Sequence, residues 1–239
     1  MNIKRYLVAT AITCMICGSV SAELVVNRAI VLFDSYSQVR QDVEIVNTDE
    51  AQNLFVDIEA FAVARPGQED QELISLRGNP EPGLIATPQK AMLGPSNNQL
   101  VRLMNLDRGG DQERVFRVNM TPVSKPPEIM VQEVEEGVTA SKIQIVIAYQ
   151  ALVIVPPAEP RAQVDYARDG KAVTFSNGGN SNYLLTDGRQ CDPSAPKNCR
   201  DLVTYRVYPS NQRHFELPFD GPFTYKVRTL SGMSSQRFD

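Results

Sequence analysis

Lys142–Val155 reads KIQIVIAYQALVIV and runs straight into Pro156-Pro157-Ala158-Glu159-Pro160. In its first half Ile143, Ile145, Ile147 and Tyr149 recur at every second position, with Gln144, Val146, Ala148 and Gln150 between them. That period of two is the signature of a strand with two different faces. From Ala151 onward both rows are apolar, as in a strand buried on both sides. Three prolines in five residues then end the ladder, because proline has no backbone donor and favours a stiff, extended connection.

The same period governs the rest of the chain. Strands are expected at Leu24–Phe33, Val39–Asn47 and Asn53–Val63, around Thr87-Pro88 within Gly83–Leu93, and at Gln99–Met104 and Arg114–Pro122. Beyond the prolines, shorter ones are expected at Lys171–Asn177, Tyr183–Thr186, Val203–Tyr208, His214–Leu217 and Phe223–Leu230. No stretch sustains a 3.6-residue period. Short strands separated by Pro, Gly and Asn turns indicate an all-β protein of sandwich type. The boundaries expected are 23–157 for a first domain and 158–239 for a smaller second one, joined by the proline-rich hinge. Ser124–Ala140, with Pro126-Pro127 and the acids Glu128, Glu133, Glu135 and Glu136, reads as a long acidic loop leading into the isoleucine strand.

Met1–Ala22 has the form of a secretory signal. Lys4 and Arg5 precede an apolar run too short to span a bilayer, and Val20-Ser21-Ala22 is a small-x-small cleavage site. A lipid anchor at Cys14 or Cys17 fits the flanking residues poorly. Cleavage after Ala22 would leave 217 of the 239 residues, and loss of Lys4 and Arg5 would take the formal charge from −4 to −6. Cys191 and Cys199 then remain, and an even pair in an exported chain implies a disulfide. The acidic balance argues against nucleic acid as the main partner. No catalytic or cofactor motif is present, and Asp57-Ile58-Glu59 and the lone His214 read as surface and structural features. The expectation is therefore a non-enzymatic protein with no cofactor, no metal and no stable membrane insertion.

The isoleucine row has two readings: ordinary core, or a row offered from a sheet edge to a foreign strand. Three isoleucines fully buried on binding would supply a gross ~5–9 kcal/mol before ordering costs.

Several motifs in order bear on that choice. They are Ala29-Ile30-Val31-Leu32-Phe33-Asp34, Leu84-Ile85-Ala86-Thr87-Pro88-Gln89-Lys90 with Gln99-Leu100-Val101-Arg102-Leu103, Glu113-Arg114-Val115-Phe116-Arg117-Val118, Ile143 to Pro157, and Val173-Thr174-Phe175-Ser176-Asn177. With these the chain resembles the periplasmic chaperones of chaperone–usher pili, which have two immunoglobulin-like β-sandwich domains. The resemblance implies a protein that lends its seventh strand to pilin subunits and delivers them to an outer-membrane usher. The residues matching the donated row are Ile143, Ile145 and Ile147, extended by Tyr149. In the best-known branch a first-strand Arg and a seventh-strand Lys hold the subunit carboxylate. Here the aligned residues are Ile30 and Leu152, a departure similar to the alternate (colonisation-factor type) or archaic branches. Arg117 is then the first candidate anchor and Arg28 the second, since a guanidinium binds a carboxylate through two parallel hydrogen bonds. The rival reading is a pilus subunit or secreted adhesive immunoglobulin-like module.

Overall fold

The structure is a computed structural model that describes residues 24–78, 83–107, 110–123 and 146–239. The expected signal segment, the acidic loop, Ile143 and Ile145 lie outside the described residues. Among those described there are strands and no helix.

Ten strands build a first sandwich. They are β1 (Leu24–Val26), β2 (Ile30–Leu32), β3 (Arg40–Asn47), β4 (Leu54–Ala64), β5 (Glu72–Ser75), β6 (Leu84–Thr87), β7 (Lys90–Leu93), β8 (Asn98–Asn105), β9 (Arg114–Pro122) and β10 (Tyr149–Val155). One sheet has the order β1-β3-β8-β6; the other has β2-β10-β9-β4-β5, with β7 also on β4. Alternation in the sequence sets the inward row of each strand: Val43 and Ile45 on β3, Val56, Ile58 and Ala60 on β4, Val101 and Leu103 on β8, Phe116 and Val118 on β9. These rows interdigitate with Ala151, Val153 and Val155 in one buried core.

Two sequence expectations change here. Leu24–Phe33 is not one strand: β1 pairs with β3 in one sheet and β2 pairs with β10 in the other, the chain crossing between them at residues 27–29. Gly83–Leu93 likewise splits, with β6 on β8 and β7 on β4, around a cis Thr87-Pro88 bond. Where chain crosses between sheets, buried amides replace the ladder. Asn47 donates to the carbonyls of Gln52 and Gly94 at 2.8 and 2.9 Å, and Asn105 donates to that of Tyr36 at 3.0 Å.

The second sandwich holds β11 (Val164–Asp169), β12 (Ala172–Asn177), β13 (Tyr183–Asp192), β14 (Ala195–Leu202), β15 (Tyr205–Val207), β16 (Gln212–Glu216), β17 (Phe223–Thr229) and β18 (Gly232–Phe238). Its sheets have the orders β11-β12-β16 and β14-β13-β17-β18, with β15 on β13. The core is aromatic. Phe175 meets Phe223, Tyr225 and Phe238 edge-on, with centroids 5.0–6.3 Å apart, the arrangement that ring quadrupoles favour. The Tyr225 hydroxyl is still satisfied, donating to the Val203 carbonyl at 2.9 Å. Cys191 and Cys199 are disulfide-bonded across β13 and β14. The segment between them is a hairpin, turned by Asp192, whose carboxylate accepts from the Ser194 amide and hydroxyl. Pro196 fits because β14 is an edge strand.

Polar groups join the sandwiches. The Glu113 amide donates to the Asn180 carbonyl at 3.0 Å, and its Oε2 accepts from the amide and side chain of Asn182. Arg206 donates to the Asn182 side-chain oxygen. The loop that carries Asn180 and Asn182 needs Gly179, where a Cβ would run into the Arg161 carbonyl of the same sandwich. Glu113 Oε1 is buried and has no hydrogen-bond partner among the described residues. Burial accordingly raises the Glu113 pKa above the usual 4.5, although the Asn182 hydrogen bonds and the Arg206 charge lower it in part.

Two outcomes are expected. Replacing Cys191 and Cys199 together by Ser should cost about 2–3 kcal/mol by the loop-entropy relation, read from chemical denaturation; an unchanged midpoint would contradict it. For Glu113, the folded state holds the proton more tightly than the unfolded chain does. Its contribution to stability is therefore complete below pH 4.5 and is lost as pH rises through the raised folded value. Glu113→Gln should remove that part of the pH dependence, measured as the unfolding midpoint across pH 4 to 7; an unaltered profile would contradict it.

Candidate strand-addition edge

The site begins with unequal neighbours. On one side β10 pairs with β9 along its whole length, from Tyr149↔Met120 to Val155↔Arg114. On the other side β2 reaches only Leu152, Val153 and Ile154. The Leu152 amide bonds the Ala29 carbonyl and the Ile154 carbonyl accepts from Phe33, so even-numbered residues turn their backbone groups toward β2. Continuing the alternation, Gln150 and Ala148 present theirs where no strand lies among the described residues. The second half of the strand is interior and its first half is an edge.

The side chains follow this division. Ala151, Val153 and Val155 are core, and Leu152 and Ile154 pack with Val63, Val115 and Tyr208 on the outer face. Tyr149 is half-buried against the first core. Val146 and Ile147 precede the ladder and are 44% and 42% exposed. Of the expected row, therefore, Tyr149 and Ile147 are described, and Ile147 is open to solvent. Gln150 donates to Asn119 at 2.8 Å on the outer face.

The two candidate anchors lie apart. Arg117 stands opposite Leu152, which stands opposite Ile30, so the three share one cross-strand row on the outer face. The Tyr208 phenol of the second sandwich faces this region. Burial raises its pKa, and the charges of Arg206 and Arg117 offset part of the rise. Arg28 sits in the crossover between β1 and β2, where its guanidinium donates to the Asp42 carbonyl on β3. It is not on a common strand face with Ile30, because the strand that would connect them is broken.

Sequence reasoning missed the cations that gather between the two sandwiches. A cavity of about 60 Å³ between the sandwiches is lined by Leu32, Ile154, Asn182, Leu184, Arg206, Arg228 and Leu230 among others. Burial lowers the Arg206 pKa, and the Arg228 charge lowers it further. No spacing rule points to these residues, which come from strands far apart in sequence. Asp57 and Glu59 share the outer face and are both bridged by Arg77, at 2.7 and 3.7 Å. His214 pairs with the Thr174 hydroxyl at 2.9 Å across β12 and β16. Among the described residues no group of three or more His, Cys, Asp or Glu is placed to hold a metal ion.

No protein-family model matches the chain, nor does any curated protein in sequence. Solved structures match it along nearly its whole length. The class 5 fimbriae chaperone CfaA shares 18% identity at a TM-score of 0.61, over 90% of this chain and 99% of that one. A structure of the Salmonella enterica SafA pilin with the SafB chaperone matches at 13% identity and a TM-score of 0.63, over 92% and 98%. The complex of CsuC with the tip subunit CsuE, from archaic chaperone–usher pili of Acinetobacter baumannii, matches at 12% and 0.58, over 91% and 97%. At these identities the likeness is one of fold: the chain has the fold found in structures of fimbrial chaperones.

Proposed function

We propose that this chain is a periplasmic chaperone that captures pilin subunits by strand addition at β10 and passes them to an outer-membrane usher. The observation that carries the reading is the half-paired β10, whose open edge continues into exposed Val146 and Ile147. An edge strand with unpaired backbone groups and alternating apolar side chains is the template that strand-addition recognition requires. Backbone pairing supplies the ladder, and Ile143, Ile145, Ile147 and Tyr149 supply the row that fills a partner's groove. Each isoleucine fully buried would contribute roughly 1.5–3 kcal/mol.

Arg117 is the proposed anchor for a subunit carboxylate. It lies in the same row as Ile30 and Leu152, the two positions where the better-known basic pair is absent. Arg28 is the weaker candidate, being engaged with the Asp42 carbonyl. The export signal at Met1–Ala22 supports a periplasmic location. The match along both sandwiches favours this reading over a pilus subunit or single adhesive module.

Capture is measured by co-expression with exported proteins encoded next to this chain, followed by co-purification. Ile147→Asp, and the triple Ile143/Ile145/Ile147→Ser change, should leave the thermal midpoint of the free chain within about 2 °C of the original and abolish capture. Subunit recovered at the original level would sink the strand-addition reading. Arg117→Ala should weaken capture more than Arg102→Ala, whose guanidinium already pairs with Asp42 at 3.3 Å. The reverse order would move the anchor elsewhere.

A further inference from the structure

The outer face of the six-stranded sheet carries two apolar rows. In the first, Leu73 stands opposite Val63 across β5 and β4, and Val115, Ile154 and Leu32 stand opposite one another across β9, β10 and β2, with Val63 and Val115 packed in one cluster. The second sandwich sits on this row through Tyr208, which packs with Val63, Val115 and Ile154. The second row lies at the other end of the same face. Met92 on β7 is opposite Phe55 on β4, and the Val123 amide bonds the Phe55 carbonyl at 2.8 Å. Counting on from Tyr149↔Met120 brings Val146 level with Val123. Phe55 and Val63 are eight residues and so roughly 27 Å apart along β4. Between the rows the face is polar and internally paired, by Arg77 with Asp57 and Glu59 and by Gln150 with Asn119.

Among the described residues only the first row is covered. Met92 is 62%, Val123 52%, Val146 44% and Phe55 39% exposed. An apolar strip of this kind, bordered by a polar band, marks a docking surface. Its position selects the occupant. The row ends at Val146, next to Ile147 in the strand-addition segment, so a strand added at the open edge of β10 continues this row onto the partner. The covered row shows the kind of body that such a strip accepts on this face, namely a β-sandwich.

We propose that the row Met92, Phe55, Val123 and Val146 is a second docking surface for the subunit held at β10, packing against the body of the subunit's sandwich. This rests on the chaperone reading and adds a contact that does not involve the donated strand. In this arrangement capture has two parts: the edge of β10 holds the subunit's backbone, and the outer row fixes the angle of its sandwich.

Methionine oxidation by hydrogen peroxide tests this without altering the row, because an exposed thioether converts to the sulfoxide and a covered one is shielded. Met233, 55% exposed on the second sandwich, is the internal reference. The probe is the full chain, alone and in complex with a co-expressed fimbrial subunit that it captures. In the free chain Met92 should oxidise at a rate similar to Met233; in the complex it should slow by about tenfold or more while Met233 does not. In parallel, Met92→Asp should weaken capture by about tenfold, and Leu100→Asp, on the other sheet, should not. A complex in which Met92 oxidises as in the free chain overturns the inference and leaves strand addition standing. Shielding of Met92 in the free chain, at all concentrations or only at high ones, overturns it in favour of the chain itself or a second copy. Shielding that appears only when usher is added overturns it in favour of the usher. If no complex forms at all, the chaperone reading fails and this inference with it.

Discussion

The structure turns on the mismatch in length between the two neighbours of β10. Seven residues of β9 pair with it on one side and three residues of β2 on the other. If β2 ran the full length, the sheet would be closed there and Gln150 and Ala148 would be satisfied internally. Because the chain crosses to the other sheet at residues 27–29, β2 stops short and leaves, among the described residues, a gap beside the first half of β10. The crossover is fastened: the Asn27 amide bonds the Glu44 carbonyl at 3.0 Å, and Arg28 bonds that of Asp42. The gap is thereby fixed in place by hydrogen bonds that belong to the fold.

The second half of β10 makes the open half usable. An edge strand that could slide or peel would order only at a cost to binding. Here Ala151, Val153 and Val155 are locked in one core while Leu152 and Ile154 are held from the other face by Tyr208. The open segment is thus the extension of a strand gripped on both faces, and the second sandwich provides half of that grip. The Glu113–Asn182–Arg206 contacts hold the second sandwich near the end of the strand that carries Arg117.

What the sequence revealed and concealed follows from burial. Strands β3, β4, β8 and β9 were legible nearly to the residue because one row of each is core and the other is not. The strands that escaped notice, β5, β11, β14 and β18, are all sheet edges. Exposed rows such as Glu72–Ser75 and Ala195–Leu202 carry no hydrophobic period to read, since the ladder bonds on one side hold them without a buried side-chain row. Ile147 was legible for the opposite reason: it belongs to an apolar period of the sequence and yet stands exposed. That Arg28 lies off the strand of Ile30 could not be read, because a sequence shows no crossover between sheets. The cations of the cleft were invisible because Glu113 and Asn182 meet only through the packing of two sandwiches.

Amide hydrogen exchange within the described end of the strand tests the open edge most directly. Ala148 and Gln150 point their backbone groups to the side where no strand lies among the described residues, while Leu152 already bonds the Ala29 carbonyl. In the free chain the Ala148 and Gln150 amides should exchange fast and that of Leu152 slowly. With a captured subunit, Ala148 and Gln150 should become protected together while Leu152 is unchanged. Ala148 and Gln150 amides that exchange at the free rate in a stable complex would contradict strand addition at this edge.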